Sequence, residues 1–424
     1  MYLLYSFTLT TFLLLALPFF LYRGLRSGKY RSSLRERLGF LPPSLNRGER
    51  VSIWVHAVSV GEVVAARTLI PLLRESFPGK PVFVSVTTQT GRQVADRQLR
   101  EADGVFYCPF DWRFVVRRVV ERIRPCALFV METEIWPHLL RVCHESGAAT
   151  FLVNGRISDR SYPRYRFIRP FMRRFLRHVD CFCMQSARYA DRVIDLGADP
   201  DRVKVTGSLK FDAAVPEIAQ AAEAARLVPS GRPVLLAGST LAPEEEILLE
   251  TFVALRKERP DLFLILAPRH PERFDEVAEL AASRTLQLVR RSSLERSPNE
   301  ADVMLLDTLG ELASLYSSAD VVFMGGSLAP WGGHNVIEPA AVGKPVVFGP
   351  HMSNFREIAS TLLEGKAAMQ VENREELRNA LRRLFDDPSL RACLGDKARR
   401  LVEANRGAGR KTMALARTKL HGAT

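Results

Sequence analysis

Ser59-Val60-Gly61-Glu62 sets a carboxylate just past a glycine, where the apolar run Val51–Val58 gives way to a helical pattern over Val63–Phe77. In an open α/β domain that boundary lies beyond the carboxyl end of a strand, where ligands and catalytic groups collect. A glutamate there can take a proton from a bound hydroxyl. The same four residues have the S-x-x-E spacing of a capping box, which would only satisfy the helix's first N–H groups. Spacing alone does not choose between base and cap. Two further carboxylates, in Met131-Glu132-Thr133-Glu134-Ile135-Trp136-Pro137, follow the apolar run Ala127–Met131. Glu132 lies nearest the strand and is the one expected to face the site. Lys210, in Gly207-Ser208-Leu209-Lys210-Phe211-Asp212, reads either as a cation on the site wall or as an ordinary surface lysine.

The second half of the chain carries Gly-rich or polar turns directly after apolar runs. They are Gly238-Ser239-Thr240, Pro268-Arg269-His270, Asp307-Thr308-Leu309-Gly310-Glu311, and Gly325-Gly326-Ser327 leading to Gly332-Gly333-His334-Asn335. Glycine lets backbone approach a phosphate, and a following helix offers unpaired N–H groups. One such turn is commonly a packing turn. Several on one edge of one sheet point to a nucleotide-type anion site. Glu338, three residues after Asn335, falls on the first turn of the same helix. It can accept ribose hydroxyls, or merely complement the helix dipole.

Positioning these groups requires strands and helices in alternation. Apolar runs at Val51–Val58, Val82–Thr87, Ala127–Met131, Ala149–Val153 and Cys181–Met184 are separated by helical patterns. The rhythm restarts with Val234–Ala237, Leu262–Ala267, Gln287–Val289, Val303–Leu306, Val321–Met324 and Pro345–Phe348. This is the βαβ pattern of parallel sheets, twice over, and the chain beyond Glu375 reads as helical and basic. The expected architecture is α/β, with two Rossmann-like domains facing a cleft. Domain boundaries are expected at 1–22 for a membrane anchor helix and 23–50 for a basic linker. A first Rossmann-like domain would fill 51–215, an interdomain connection 216–233, and a second Rossmann-like domain, carrying the anion-site turns, 234–424.

The anchor rests on Tyr2–Tyr22, which holds no charged residue and one proline, Pro18. About twenty such residues can span a bilayer core. Basic residues follow it rather than precede it, from Arg23 to Arg37, which predicts a body on the cytoplasmic side of the membrane. Pro18 leaves open a helix that enters only partway. The segment from Arg156 to Arg177 interleaves Arg160, Arg164, Arg166, Arg169, Arg173 and Arg174 with aromatic and apolar residues. It reads as a basic amphipathic helix on a membrane surface, or as a solvated helix face. A net charge of +13 calls for an acidic partner: nucleic acid, phosphorylated small molecules or an anionic membrane. No zinc-finger, RNA-recognition or helix-turn-helix pattern supports nucleic acid. The six cysteines and eight histidines are scattered without ligand spacing, so no metal site is expected.

Taken in order, Ser59-Val60-Gly61-Glu62, Met131-Glu132-Thr133-Glu134, Gly207-Ser208-Leu209-Lys210-Phe211-Asp212, Pro268-Arg269-His270-Pro271-Glu272-Arg273-Phe274 and Gly332-Gly333-His334-Asn335 closely resemble the lipid A 3-deoxy-D-manno-octulosonic acid (Kdo) transferases. The resemblance runs from the anchor to about Ile358. It implies a GT-B fold and inverting transfer of Kdo from CMP-Kdo to the tetraacylated lipid A precursor at an anionic inner-membrane surface, without a cofactor. It implies Glu62 as general base, with Glu132 and Lys210 as transition-state stabilisers. CMP contacts would fall on Pro268, Arg269, Leu309, Gly310, Glu311, Asn335, Val336, Ile337 and Glu338. Val336-Ile337 stands where some members have Pro-Leu. With the basic segment bordering the acceptor, Arg169, Arg173 and Arg174 would face acceptor and membrane. The competing readings are a membrane-associated GT-B enzyme using a UDP-sugar on a lipid-linked acceptor, a nucleic-acid-binding protein, and a non-catalytic membrane scaffold.

Overall fold

In the computed structural model the chain forms two compact units, Met1–Ala213 with Arg406–Thr424, and Ala214–Asn405. The structure describes residues 1–27, 31–212, 223–294 and 298–421, with no side chains described over 16–32. Residues 216–222 of the expected connection 216–233 lie outside these residues.

The first unit is built on seven parallel strands: β1 Ser52–His56, β2 Val82–Val86, β3 Gly104–Tyr107, β4 Pro125–Met131, β5 Ala149–Gly155, β6 Cys181–Met184 and β7 Val203–Val205. Their order is β3-β2-β1-β4-β5-β6-β7, so the winding reverses between β1 and β4. Every residue of β1, β2 and β6 is buried, as a parallel sheet covered on both faces demands. One face packs under the helix Val60–Ser76, which buries Val63, Ala66, Leu69, Ile70 and Leu73 at helical spacing. Beside it lies the chain's last helix, Ala408–His421, which contributes Ala408, Met413 and Ala416 to the same core. Asp212 fixes its start, accepting Gly407 and Gly409 N–H at 2.7 Å each. A single C-terminal domain over 234–424 is therefore not what forms; the chain returns to the first unit at its end.

The second unit repeats the plan with β8 Val234–Thr240, β9 Phe263–Pro268, β10 Leu288–Arg290, β11 Val303–Leu305, β12 Val321–Met324, β13 Val346–Phe348 and β14 Ala368–Gln370. The order β10-β11-β9-β8-β12-β13-β14 reverses between β8 and β12.

Among the described residues no helix is long and apolar enough to cross a membrane, so the anchor expected over 1–22 is not shown. The first helix, Tyr2–Ser27, has the length. Its opening turns nevertheless face the first unit through polar groups. Tyr5 donates to Asp111 at 2.9 Å, Ser6 meets His138 at 2.8 Å, and Trp112 donates to Thr10 at 2.9 Å. Those bonds belong to a helix lying on a protein surface. The expected linker also packs: Leu45 and Asn46 are buried, with Asn46 donating to Ile123 O at 3.1 Å.

Candidate active site

Glu62 stands in the first turn of the helix after β1, and Glu132 directly after β4. These two carboxyl ends flank the reversal of the first sheet, the crevice position of open α/β folds. Glu62 is 6% exposed. Its Oε2 accepts Val58 N–H at 2.8 Å and its Oε1 accepts the Ser59 hydroxyl at 3.0 Å. This is not the capping box that the spacing allowed. Ser59 makes no side-chain cap and instead donates to Glu62. Burial pushes the Glu62 carboxyl up to about 8, opposed by its two hydrogen bonds and helped by repulsion from Glu134 and Glu132. A helix N-terminus favours the ionised form, but desolvation and two neighbouring acids outweigh it here.

Glu132 takes a left-handed backbone, φ 53°, while its N–H continues the sheet to Val153 O at 2.8 Å. Non-glycine residues at such angles cluster at functional sites. Glu134 accepts the Trp136 indole at 3.0 Å, and burial raises its carboxyl above the ordinary range. Lys210 lies in the turn Leu209–Phe211, which comes back from the end of β7 to touch the helix Val60–Ser76. That turn is fixed by Asn154, whose Oδ1 accepts Leu209 N–H at 3.1 Å. Asn154 is buried, has φ 56°, and its Nδ2 has no partner among the described residues. Sequence reading missed it; Asn-Gly at the end of an apolar run was the available signal. Glu62, Glu132 and Lys210 thus share one edge. Arg169, Arg173 and Arg174 do not join them: they line a pocket bounded by the turns that enter β6 and β7, at the opposite edge.

In the second unit the expected residues again collect past the carboxyl ends. Pro268 ends β9 and Arg269 follows it, exposed, with its N–H bound to Thr240 O at 2.9 Å. Leu309 presents an apolar side chain 77% exposed, and Gly310 takes φ 91° with open space on its Cβ side. Glu311 accepts Arg291 at 2.7 Å. Asn335 donates to Glu338 at 2.9 Å and accepts Ile337 N–H at 3.1 Å, while Val336 and Ile337 are buried beneath. Burial raises the Glu338 carboxyl, with Arg269 pulling the other way. His334 is pushed down to about 4 by burial, with Arg269 and His270 adding repulsion, so it is neutral at pH 7.

One expected cradle is filled from within. Glu244, fully buried at the start of the helix Glu244–Arg256, accepts Gly326, Ser327 and Leu328 N–H at 2.6, 2.8 and 2.8 Å, and Leu241 N–H at 3.2 Å. The Gly326-Ser327-Leu328 amides are thus spent on a carboxylate of the chain itself, and Gly325 N–H on Gly238 O at 2.8 Å. No local pattern signals this, because the partners are about eighty residues apart. Among the described residues, the buried polar atoms without a partner include Thr87 Oγ1, Asn154 Nδ2, Ser186 Oγ and Thr206 Oγ1 at strand ends of the first unit, and Thr240 Oγ1, Thr308 Oγ1 and His334 Nε2 in the second, while others such as Thr251 Oγ1 and Ser318 Oγ lie away from these ends. Native proteins leave few such atoms, and they mark places where something else bonds.

The pattern described as 3-deoxy-D-manno-octulosonic-acid transferase (kdotransferase) matches residues 32–213, and that of group 1 glycosyl transferases matches 224–401. The 3-deoxy-D-manno-octulosonic acid transferase of Haemophilus influenzae is 33% identical over 97% of this chain and 98% of its own length. That of Bordetella pertussis is 36% identical over 85% and 86%. Among solved structures, the UDP-GlcNAc 2-epimerase of Neisseria meningitidis aligns with a TM-score of 0.57 at 13% identity, over 84% of this chain and 99% of its own, a likeness of fold alone. With two Rossmann-like units, a carboxylate at the first sheet's reversal and relatives along its whole length, the chain belongs to the Kdo transferase family and is a GT-B glycosyltransferase that transfers Kdo.

Proposed function

We propose that the chain moves Kdo from CMP-Kdo to a hydroxyl of the tetraacylated lipid A precursor, with inversion, on the cytoplasmic side of the inner membrane. The observation that carries this reading is Glu62: a buried carboxyl at the first sheet's reversal, with its proton affinity raised to about 8. A base works best when its pKa lies near the working pH, because it then combines proton affinity with a populated basic form. Glu62 takes the acceptor proton as the hydroxyl oxygen attacks the anomeric carbon. CMP leaves with the bonding pair, and one displacement inverts the centre. The new proton sits on Glu62 beside Glu132 and Glu134, whose negative charges stabilise the protonated form. Lys210 offsets the carboxylate of the sugar.

On the donor side, Arg269 meets the developing phosphate charge and Glu338 accepts ribose hydroxyls. Leu309 and Gly310 offer an apolar contact and an open backbone to the base, with Glu311 beside them. Pro268, Asn335, Val336 and Ile337 hold this wall in place. The exposed apolar residues of the first helix and the basic surplus suit an anionic membrane surface, consistent with a membrane-borne acceptor.

The test is transfer by purified protein from CMP-Kdo to the lipid A precursor, with Glu62→Gln beside it. Loss of transfer with CMP affinity retained is expected; an active Glu62→Gln enzyme removes the base assignment. A UDP-sugar donor is the alternative, and tighter competition by UDP than by CMP would favour it.

A further inference from the structure

We propose that the first unit carries a pocket for the phosphate group of an anionic glycerophospholipid, on the sheet edge opposite Glu62. The pocket is a cavity of about 1280 Å³ lined by Met1, Arg169, Arg173, Arg174, Arg177 and Arg202. Its walls are the helix Arg169–Leu176, the turn that follows it, and the turn between the helix Ala187–Asp195 and β7. Both turns lead into strands, whereas Glu62 and Glu132 stand beyond strand ends. In a parallel sheet these are opposite edges.

The positive charge is only partly met. Asp199 is the one acid in the lining, and Arg202 approaches it at 3.5 Å. Arg169 approaches Asp195 at 3.9 Å. The guanidinium groups of Arg173, Arg174 and Arg177 are exposed and make no hydrogen bond or ion pair among the described residues. The wall is nonetheless a fitted one. Gly197, at φ +106°, lies so close that a Cβ there would stand 2.6 Å from Arg173 Cβ and 3.0 Å from its Cα. No other residue type permits that approach, so the turn and the arginine-bearing helix hold one geometry. Several guanidinium forks around one space match the oxygens of a phosphate, which offers more acceptors to several forks than a single carboxylate does.

The surroundings select a lipid as the source of that phosphate. Met1 lines the pocket, and the helix that follows exposes Leu3, Leu4, Phe7, Phe12, Leu14 and Leu15, with Leu3 at 87% and Phe7 at 71%. Positions 3, 4, 7, 14 and 15 recur on one helical stripe, while Tyr2, Tyr5 and Ser6 face the protein. Phe167, 90% exposed, and Ile168 stand just before Arg169 in the chain. An apolar stripe beside an arginine pocket is the surface of a protein that lies in a headgroup layer. A soluble phosphate compound would have no use for the stripe.

The pocket is distinct from the transfer site, and its assay contains no nucleotide, so its failure and the failure of the transfer reading are separable. Full-length protein is co-sedimented with phosphatidylcholine vesicles, with and without about 30 mol% phosphatidylglycerol. Anionic vesicles are expected to bind about tenfold more tightly, and Arg173→Gln/Arg174→Gln/Arg177→Gln to lose most of that gain. The control Arg47→Gln/Arg97→Gln/Arg100→Gln removes equal charge elsewhere in the first unit and is expected to lose less than about twofold. Thermal melting confirms that both variants fold. Equal losses in the two triples would reduce the effect to net charge and overturn the pocket, as would an unchanged pocket triple. Saturable binding of free glycerol phosphate with no preference for anionic vesicles would overturn the lipid as its source.

Discussion

Glu62 and Glu244 occupy matching places in the two units. Each follows the strand beside its sheet's reversal, each sits in the first turn of a helix, and each is buried. Their surroundings differ. Glu244 is ringed by four backbone N–H groups, which answer its charge from one side and tie the strand-end loop Gly325–Leu328 in place. Glu62 has two donors and two acidic neighbours. A carboxylate that is fully answered becomes scaffold, whereas one left short of donors keeps the capacity to exchange a proton. The difference lies in what surrounds the carboxylate, not in where the chain puts it.

Removing each carboxylate tests that contrast most strongly. On the proposed role as base, Glu62→Gln is expected to cut the transfer rate by about 10³-fold without lowering the melting temperature, since the side chain closes only one short turn. Glu244→Ala is expected to do the reverse in kind, costing about 3 kcal/mol or more of stability by leaving buried N–H groups without acceptors. A Glu244→Ala protein that melts normally would show that these amides find other partners and that the contrast is empty.

Smaller effects sharpen it. Arg269→Ala is expected to weaken CMP binding about tenfold, as loss of one charge-assisted contact does, and calorimetry measures it directly. If Glu62 acts as the proposed base, the rate should rise with pH through a midpoint near 8 and level off above it, because the folded-state pKa of the group is about 8. Glu134→Gln removes the larger of the two acidic repulsions, so the same limb should move to lower pH. The stability sign is fixed by the same shift. A carboxyl with a folded pKa above its unfolded value holds its proton better in the fold, so wild-type stability falls as pH rises from about 4.5 towards 8. Glu62→Gln should flatten that slope in pH-dependent melts; an unchanged slope would place the strain elsewhere.

The long apolar runs announced most strands, because a strand buried on both faces needs an unbroken run of apolar residues. β3, β7 and β14 escaped notice: they are three or four residues long and partly exposed, as sheet edges and short strands are. The turns after strands were legible as site material from their glycines and charges. What those turns do with their amides was not, since Glu244 and Asn154 act through partners distant in sequence. The first helix misled for a physical reason. Hydropathy counts Tyr2, Tyr5, Ser6 and Thr10 as tolerable in a bilayer, and only the fold reveals that they hydrogen-bond to the domain beneath.

The return of the last helix to the first unit sets an order on biosynthesis. The helix Val60–Ser76 leaves the ribosome early, yet the residues that cover its neighbour face, Met413 and Ala416, are translated only after every strand of both sheets. Until then that apolar face stays uncovered and Asp212 has no amides to hold. A chain cut after Asn405 would keep every strand of both sheets and still present a bare greasy surface, a target for chaperones and proteases rather than a smaller enzyme.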